Sequence, residues 1–475
     1  MKKLQVSTGE YACTWSVNDG TVPGELVLAG SQRPQGSVFD APGVWTSETD
    51  GSGSVTRRFS PHVAEFPRLR GRLRTNQDVV LLDAKVTYLF PEQARLSARM
   101  ALIGLGIPEA DELLFDSVEF QVGGLTEISG VRAFTEFSMP VRGGSTERQF
   151  SAAWSGEADQ EWTTASGDSL SLDYIADLKY DRGYRYHLSS YPVVSIRGVP
   201  RTADEWIDTY IRPLTQITTF VTVRKQPICW ARLTCGSPRY SAQVFSSEVT
   251  QEPFDAESPE PGVLAPLLRL GPGGVSLADL LSGWRSLGED YDTFFDLLIT
   301  ALREAMTPKT QFLSLVPAIE SYHATKYGSG PIPKKEFQRE RKAVLRRLTE
   351  CTAVDDGDIQ WLKQWIDTVG SYPLHERMRQ LAESLSPALQ ERIHARVDPL
   401  PAPLDTVFEN PRDVWAVMAK VRNNLAHGAV RPTPPQLLSL TRLAQTLVAA
   451  LVLQQLGVSD TTLVEAIDRG DWQVV

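Results

Sequence analysis

The feature that most constrains the fold is a change of hydrophobic pattern along the chain. From residue 10 to about 245, short apolar runs are separated by clusters of Gly, Ser, Asn and Asp, as is typical of β-strands joined by turns. Beyond about residue 276, apolar residues recur at helical spacing. We therefore predict a β-rich domain over residues 1–250, a proline- and glycine-rich linker over 251–285 and a helical domain over 286–475.

The N-terminal half contains several segments with strand character. Strands are predicted within residues 79–90, 113–122, 131–139 and 217–223, and one helix over 203–211. The half shows neither regular alternation of strands and helices nor a glycine-rich phosphate loop, which argues against a parallel nucleotide-binding sheet. The predicted fold class is α+β multidomain, with an antiparallel sandwich-like or barrel-like β domain followed by an all-α helical bundle.

The C-terminal half is a series of predicted helices. The last of them opens with Thr433, Pro434 and Gln436 in capping-box spacing, and it is apolar nearly all round. We expect it to be a central helix or a dimer-facing one. The predicted helices span residues 288–306, 309–327, 333–352, 357–369, 373–395, 411–427 and 434–456.

Composition excludes several classes of protein. With 42% hydrophobic residues, the chain can build real cores. The first residues lack the apolar segment of a signal peptide, and the longest apolar run, residues 447–453, is too short to span a bilayer. The four cysteines are scattered and match no zinc spacing, so we expect a reducing cytoplasm, no metal and no cofactor. The net charge of −10 argues against nucleic-acid binding through a broad positively charged surface.

The strongest candidate site lies near the C-terminal end. Arg422 is followed directly by Asn423 and, five positions after the arginine, by His427. An arginine can neutralise a phosphate and a histidine can exchange protons near neutral pH. Such a group of residues could cut RNA without a metal ion.

The spacing alone is weak evidence, because two other arginine–histidine pairs share it. Arg57 lies in a stretch predicted to be irregular, with His62 after it. Arg182 opens an aromatic, strand-like run that contains His187. Only Arg422 sits on a clearly predicted helix.

That helix has recognisable start and stop signals. Asn410 is predicted to cap it, Pro411 fits its first position, and Gly428 suits its exit. Around such a helix Arg422 and His427 lie about 140° apart, so a second copy of the helix would help to complete a site. Five residues form its predicted apolar stripe: Val414, Val417, Met418, Val421 and Leu425.

This motif resembles that of HEPN domains, which are helical bundles carrying an arginine, often followed by a polar residue, with a histidine a few positions later. Other segments resemble ApeA-like HEPN proteins: residues 312–323 and 374–381 in the helical half, and 22–28, 69–82 and 113–120 in the β half. Pro317, inside the first of these helices, departs from the pattern because a proline should kink it.

The resemblance implies an anti-phage effector that damages RNA, with transfer RNA as a candidate target, and that acts as a homodimer. His427 would handle the proton of the ribose 2′-hydroxyl or of the leaving 5′-oxygen, and Arg422 would hold the scissile phosphate. Asn423 would orient the phosphate or the histidine. The β domain would restrain or direct the nuclease in response to a phage-derived trigger. No membrane is expected among the partners.

Other residues leave alternatives open. Glu320 is either a structural carboxylate or a group that orients Arg422 or His427, and His323 suits packing or the surface. His375 and His394 belong to no recognisable group of candidate catalytic residues. The basic run over residues 334–347 is either a solvated helix face or a contact for the RNA backbone.

Two alternative functions remain at the level of sequence. The chain could be a non-catalytic interaction protein, whose β domain binds a ligand while the helical bundle only dimerises. It could also be a toxin that is held inactive by a separate antitoxin.

Overall fold

The fold is taken from a computed structural model, in which the chain divides into two compact units. One unit comprises mainly residues 1–219 and 226–263, and the other mainly residues 279–475. The structure describes residues 6–17, 20–39, 45–49, 55–59, 62–90, 93–110, 112–129, 134–138, 151–154, 160–181, 185–222, 224–236, 239–252, 267–268, 270, 275–303, 306–328, 330, 334–351, 353–369, 372–395, 413–427 and 432–468.

The first unit contains a closed antiparallel barrel of six strands. In the order of their pairing around the ring these are β7, β6, β1, β2, β3 and β8, and β8 pairs back with β7. The predicted antiparallel, barrel-like fold is thereby confirmed. The barrel strands are β1 (Gly9–Val17), β2 (Gly20–Leu28), β3 (Gln35–Phe39), β6 (His62–Leu73), β7 (Asp78–Phe90) and β8 (Gln93–Ser97).

Seven further strands extend the sheet from β7, again by antiparallel pairing. Their order outward is β9 (Met100–Leu105), β17 (Arg239–Ser246), β16 (Ile228–Gly236), β10 (Phe115–Val122), β15 (Arg185–Arg201), β14 (Ser169–Asp181) and β13 (Gln160–Thr163). Two hairpins lie outside this sheet, β4 (Trp45–Thr49) with β5 (Val55–Phe59), and β11 (Phe134–Ser138) with β12 (Ser151–Trp154). A short helix, α1 (Leu125–Ile128), follows β10.

The barrel core is built around one tryptophan. From Cys13 to Val17 along β1 every second side chain is buried, and Trp15 is fully so, which is the alternation that a half-buried strand requires. Its indole Nε1 donates to the Ser37 carbonyl at 3.2 Å. Gly24 and Gly71 lie against the ring, where an added Cβ would come within 2.4 Å of Trp15 Nε1 and 2.5 Å of its Cε3, respectively. Glycine at these two positions leaves room for the indole.

Two predictions in this unit were wrong. Residues 217–222 are helical and belong to α3 (Arg212–Thr222). This helix continues directly from α2 (Ala203–Trp206) and a π-helical turn (Ile207–Ile211). The buried Leu214, Ile217 and Val221 recur at helical spacing, which prevails over β-branched composition. The stretch containing Arg57 is not irregular, because Val55–Phe59 pairs with Trp45–Thr49 as a strand.

The second unit is helical, as predicted. Its helices are α4 (Leu277–Asp290), α5 (Asp292–Arg303), α6 (Pro308–Tyr327), α7 (Lys334–Thr349), α8 (Asp356–Val369), α9 (Leu374–Glu383), α10 (Pro387–Ala395), α11 (Val414–His427), α12 (Pro434–Gln455) and α13 (Asp460–Asp468). The predicted helix over 373–395 is two helices, since Pro387 cannot continue α9 and begins α10 instead. The predicted helix over 288–306 lies partly in α4 and partly in α5, with a bend at Tyr291.

Helix α4 begins inside the stretch predicted as a linker. Its buried side chains from Leu277 to Leu287 recur at helical spacing after the proline- and glycine-rich residues have ended. The linker residues 253–266 and 271–274 lie outside the described part of the chain. The predicted domain limits therefore stay a prediction.

Two long helices form the core of the helical unit. Helix α6 packs against α5, α9, α11 and α12, and it runs through Pro317. Tyr322 of α6 stacks on Tyr291 and accepts a hydrogen bond from Gln455 Nε2 at 2.9 Å. By length and composition, helix α12 is apolar enough to cross a membrane. However, 78% of its apolar 18-residue stretch is buried inside the fold. This burial is typical of a core helix.

Candidate functional site

Helix α11 is fixed at its start by an aspartate. Asp413 Oδ1 accepts from the backbone N–H groups of Trp415 at 3.1 Å and Ala416 at 3.4 Å, which caps the helix. The other carboxylate oxygen of Asp413 pairs with Arg379 of α9 at 2.5 Å. The predicted capping residues Asn410 and Pro411, and the predicted exit residue Gly428, lie outside the described residues.

The apolar stripe of α11 faces the bundle over most of its length. Val414, Val417, Met418 and Val421 are buried, as the stripe predicted, whereas Leu425 is only half-buried. The last turn of the helix therefore lies nearer the surface than the first three. This change of burial leaves the polar residues of the motif accessible.

Three of the four predicted site residues come together in space. Arg422 Nη2 contacts Glu320 Oε2 of α6 at 3.3 Å, and Arg422 Nη1 donates to Asn423 Oδ1 at 3.1 Å. The side chains of Arg422 and Glu320 are 32% and 25% exposed, so the pair is partly screened by water. The guanidinium group is thus oriented by two partners while part of its surface remains open to a ligand.

His427 occupies the last position of α11 and is exposed. The helical period places it about 140° around the axis from Arg422. Among the contacts of the described residues, none joins the His427 side chain to the Arg422–Glu320 pair. Within one chain, the structure brings together arginine, asparagine and glutamate, and it leaves the histidine apart from them.

A second row of polar side chains links α6 and α9. His323 is fully buried, and its Nε2 lies 2.8 Å from Gln380 Oε1. Gln380 in turn donates to Glu376 at 3.4 Å, and Glu376 pairs with Arg379 at 2.6 Å. Burial lowers the pKa of His323, so the neutral imidazole is favoured there. The row ends at Asp413, so it contributes to positioning α11.

This row was not anticipated as a unit. The expectation for His323 was packing or the surface, and the structure places it in the core. Gln380 and Glu376 are one helical turn apart on α9, a spacing that could have suggested a shared polar face. The sequence could not show that this face lies against His323, because the two segments are far apart in the chain.

The remaining histidine candidates have other surroundings. His375 is half-buried on α9, and the side chain of His394 lies outside the described residues. Arg57 and His62 lie on β5 and β6, and His187 lies on β15. Of the three arginine–histidine pairs with equal spacing, the one on α11 has both members on a single helix.

A cleft elsewhere in the helical unit does not belong to this group. It has a volume of about 460 Å³ and lies between α4 and the junction of α12 and α13. Its lining includes Asp279, Ser282 and Thr462, and it includes none of the four predicted site residues. Among the residues that the structure describes, no group of three or more His, Cys, Asp and Glu residues could hold a metal ion.

Comparison with known families explains why a β unit and a helical unit occur together. The family model described as ApeA N-terminal domain 1 matches residues 10–284, and the one described as Apea-like HEPN matches residues 313–462. No curated protein and no solved structure matches the chain. Because the first match alone covers more than half of the 475 residues, the chain belongs to the family of ApeA-like HEPN proteins.

The second match encloses the candidate site. Glu320 on α6 and Arg422, Asn423 and His427 on α11 all lie within residues 313–462. HEPN domains are generally ribonucleases and typically dimerise. The family therefore suggests an anti-phage effector with RNA as the material it acts on.

Proposed function

We propose that the helical unit is a metal-independent endoribonuclease with its site at the end of α11. The observation that carries the proposal is the orientation of Arg422 by Glu320 and Asn423, on the same helix that presents His427. An arginine held by two partners can bind a phosphate with little further loss of side-chain freedom.

The reaction needs only these side chains and the RNA. His427 accepts the proton of a ribose 2′-hydroxyl, and the 2′-oxygen attacks the adjacent phosphorus. The bond from phosphorus to the 5′-oxygen breaks, and a protonated imidazole supplies the proton of the leaving hydroxyl. Arg422 stabilises the charge that develops on the phosphoryl oxygens. The products are a 2′,3′-cyclic phosphate and a 5′-hydroxyl.

Glu320 and Asn423 act on Arg422 in this proposal. Glu320 holds one guanidinium nitrogen, Asn423 holds another, and the remaining N–H groups are left for the phosphate. The 3.3 Å separation and partial exposure of the ion pair allow the carboxylate to yield when a phosphate binds. Both are positioning residues.

A homodimer completes the proposed site. Because Arg422 and His427 point about 140° apart on one helix, a second α11 that brings its own histidine across a shared groove supplies the missing geometry. Leu425, which is half-buried at the end of the apolar stripe, offers an apolar contact for such a partner. The proposal predicts that dilution to monomer reduces cleavage.

The proposed biological role follows the family. The protein would be a cytoplasmic effector of abortive infection, in which the β unit senses a phage-derived trigger and releases the nuclease. Transfer RNA is the proposed target, because its exposed single-stranded loops allow the in-line geometry that transesterification requires.

An RNA cleavage assay tests the nuclease. Wild type, Arg422→Ala and His427→Ala are incubated with total and transfer RNA in excess EDTA, and the RNA ends are identified. We expect wild-type cutting with cyclic phosphate ends, and a loss of at least about 100-fold in both variants. His375→Ala, which changes a histidine of the same unit outside the site, is the matched control.

Three outcomes are informative. Cutting that survives His427→Ala contradicts the mechanism. Cutting that is lost in His375→Ala as well indicates a defect of folding. If no form cuts, toxicity on phage infection decides, because a latent nuclease then kills infected cells only with His427 intact, whereas a non-catalytic binding protein is insensitive to His427→Ala.

A further inference from the structure

Helix α7 is strongly basic in a chain that is acidic overall. Its 16 residues contain seven Lys and Arg against two Glu, a net charge of +5, whereas the whole chain carries −10. No described side chain of α7 is fully buried. The apolar side chains Phe337, Val344, Leu345 and Leu348 are half-buried, and α7 packs against α8.

Four of the cations form one stripe. Lys335, Arg339, Lys342 and Arg346 are spaced by four, three and four residues, so they lie within about 60° of the helix circumference. All four are exposed. The stripe is about 16 Å long, from the rise per residue of an α-helix, which is enough to follow several successive phosphates of a nucleic acid strand.

Existing ion pairs neutralise little of this charge. Arg339 lies 3.8 Å from Glu336, and Arg346 lies 3.8 Å from Glu350. The two arginine side chains are 78% and 77% exposed, so both pairs are in solvent and are worth little. A polyanion with closer contacts can displace them.

We propose that the cationic stripe of Lys335, Arg339, Lys342 and Arg346 binds the phosphate backbone of the RNA substrate. The inference rests on the proposed nuclease function, since it assigns a second contact to the same substrate. RNA fits better than the same helix of a second copy, because two helices of charge +5 repel each other. It fits better than a lipid surface, because the apolar side chains of α7 are turned toward the protein and half-buried.

The test separates binding from cutting. All proteins carry His427→Ala, so that the RNA stays intact, and the probe is fluorescein-labelled transfer RNA. Arg339→Gln with Arg346→Gln is compared with Arg285→Gln with Lys309→Gln, which removes two exposed cations from α4 and α6. The Kd is measured from 50 to 200 mM NaCl, and circular dichroism verifies that the helices are retained.

We expect the stripe variant to raise the Kd for the RNA about 10-fold at 200 mM NaCl. The slope of log Kd against log salt concentration should fall by about 1.4, because two phosphate contacts are lost. The control pair should leave both unchanged. The proposal that the stripe binds RNA would be overturned by equal effects in the two variants, by no effect in either, or by no RNA binding of the parent protein.

Cleavage kinetics test the nuclease proposal separately from RNA binding. In proteins with an intact site, the stripe variant should raise the KM for transfer RNA cleavage several-fold with kcat unchanged. Salt-sensitive binding without cleavage, together with toxicity on phage infection that is insensitive to His427→Ala, would leave the stripe standing and remove the nuclease.

Discussion

Glu320 and Arg422 are 102 positions apart in the chain, and their side chains meet as an ion pair of 3.3 Å between α6 and α11. The contact turns a surface arginine into an oriented one. It also makes the function proposed for Arg422 depend on a residue outside its own helix.

Glu320→Gln should therefore reduce cleavage more than stability. We expect a fall of about 10-fold in kcat/KM, equivalent to about 1.4 kcal/mol, because Arg422 loses its charged partner. The melting temperature should change little, since partly exposed ion pairs contribute about 0.2–1 kcal/mol. Both are measured on the same preparations.

Asp468→Asn is the matched control for Glu320. Asp468 pairs with Arg392 at 2.7 Å, linking α10 and α13 of the same unit. Its substitution should leave cleavage unchanged. Equal loss of activity in both variants would mean that any inter-helix ion pair matters and that Glu320 has no special role.

Asp413 should control the stability of the first turn of α11. Asp413→Ala removes the cap on Trp415 and Ala416 and the pair with Arg379, and should weaken the turn by about 1–2 kcal/mol. Asp413→Asn keeps an oxygen for the cap and should cost less. Hydrogen exchange of residues 414–418 measures the local opening. Identical exchange in the two variants would show that capping is not the cause.

His323 should make the stability of the helical unit depend on pH. Burial lowers its pKa, so the unfolded chain takes up a proton near pH 6.5 while the folded chain does not. The stability is fully present above that pH and falls as the pH drops below it, by at most about 1.4 kcal/mol per pH unit.

His323→Gln should flatten this dependence between pH 7 and 5, as followed by thermal unfolding of the full chain. At pH 8 the wild-type imidazole is neutral, so the difference between the two proteins there measures the packing cost alone. A variant that loses stability with acid as steeply as wild type would assign the dependence to other groups.

Gly71→Ala should damage the β-barrel. The new Cβ would come within 2.5 Å of the Trp15 ring and 2.7 Å of the Thr14 carbonyl, and both are held by the sheet. Such overpacking costs about 1–3 kcal/mol, which lowers the unfolding midpoint of the β unit. Gly20→Ala is the matched control, because the nearest atom to its Cβ would be the Val17 carbonyl at 3.6 Å, an ordinary contact. A stable Gly71→Ala protein would show that the barrel can expand around Trp15.

Local pattern was sufficient for the kinds of element but not for their partners. Alternating burial along β1 and helical spacing along α11 both follow the periodicity of their residues. The closing of the barrel between β3 and β8 and the pairing of β10 with β15 and β16 join segments whose compatibility no local pattern records. The helix at residues 217–222 shows the limit, since its β-branched composition favoured a strand.

The sequence by itself determined the α+β division, the amphipathic helix that carries Arg422, Asn423 and His427, and the stripe of cations on α7, because each depends on residues within a few turns of one another. Only the tertiary structure decided that Glu320 would hold Arg422, that His323 would be buried against Gln380, and that Asp413 would join α11 to α9. These contacts arise where helices distant in the chain pack together, and the free energy of that packing depends on the whole core and not on any local spacing.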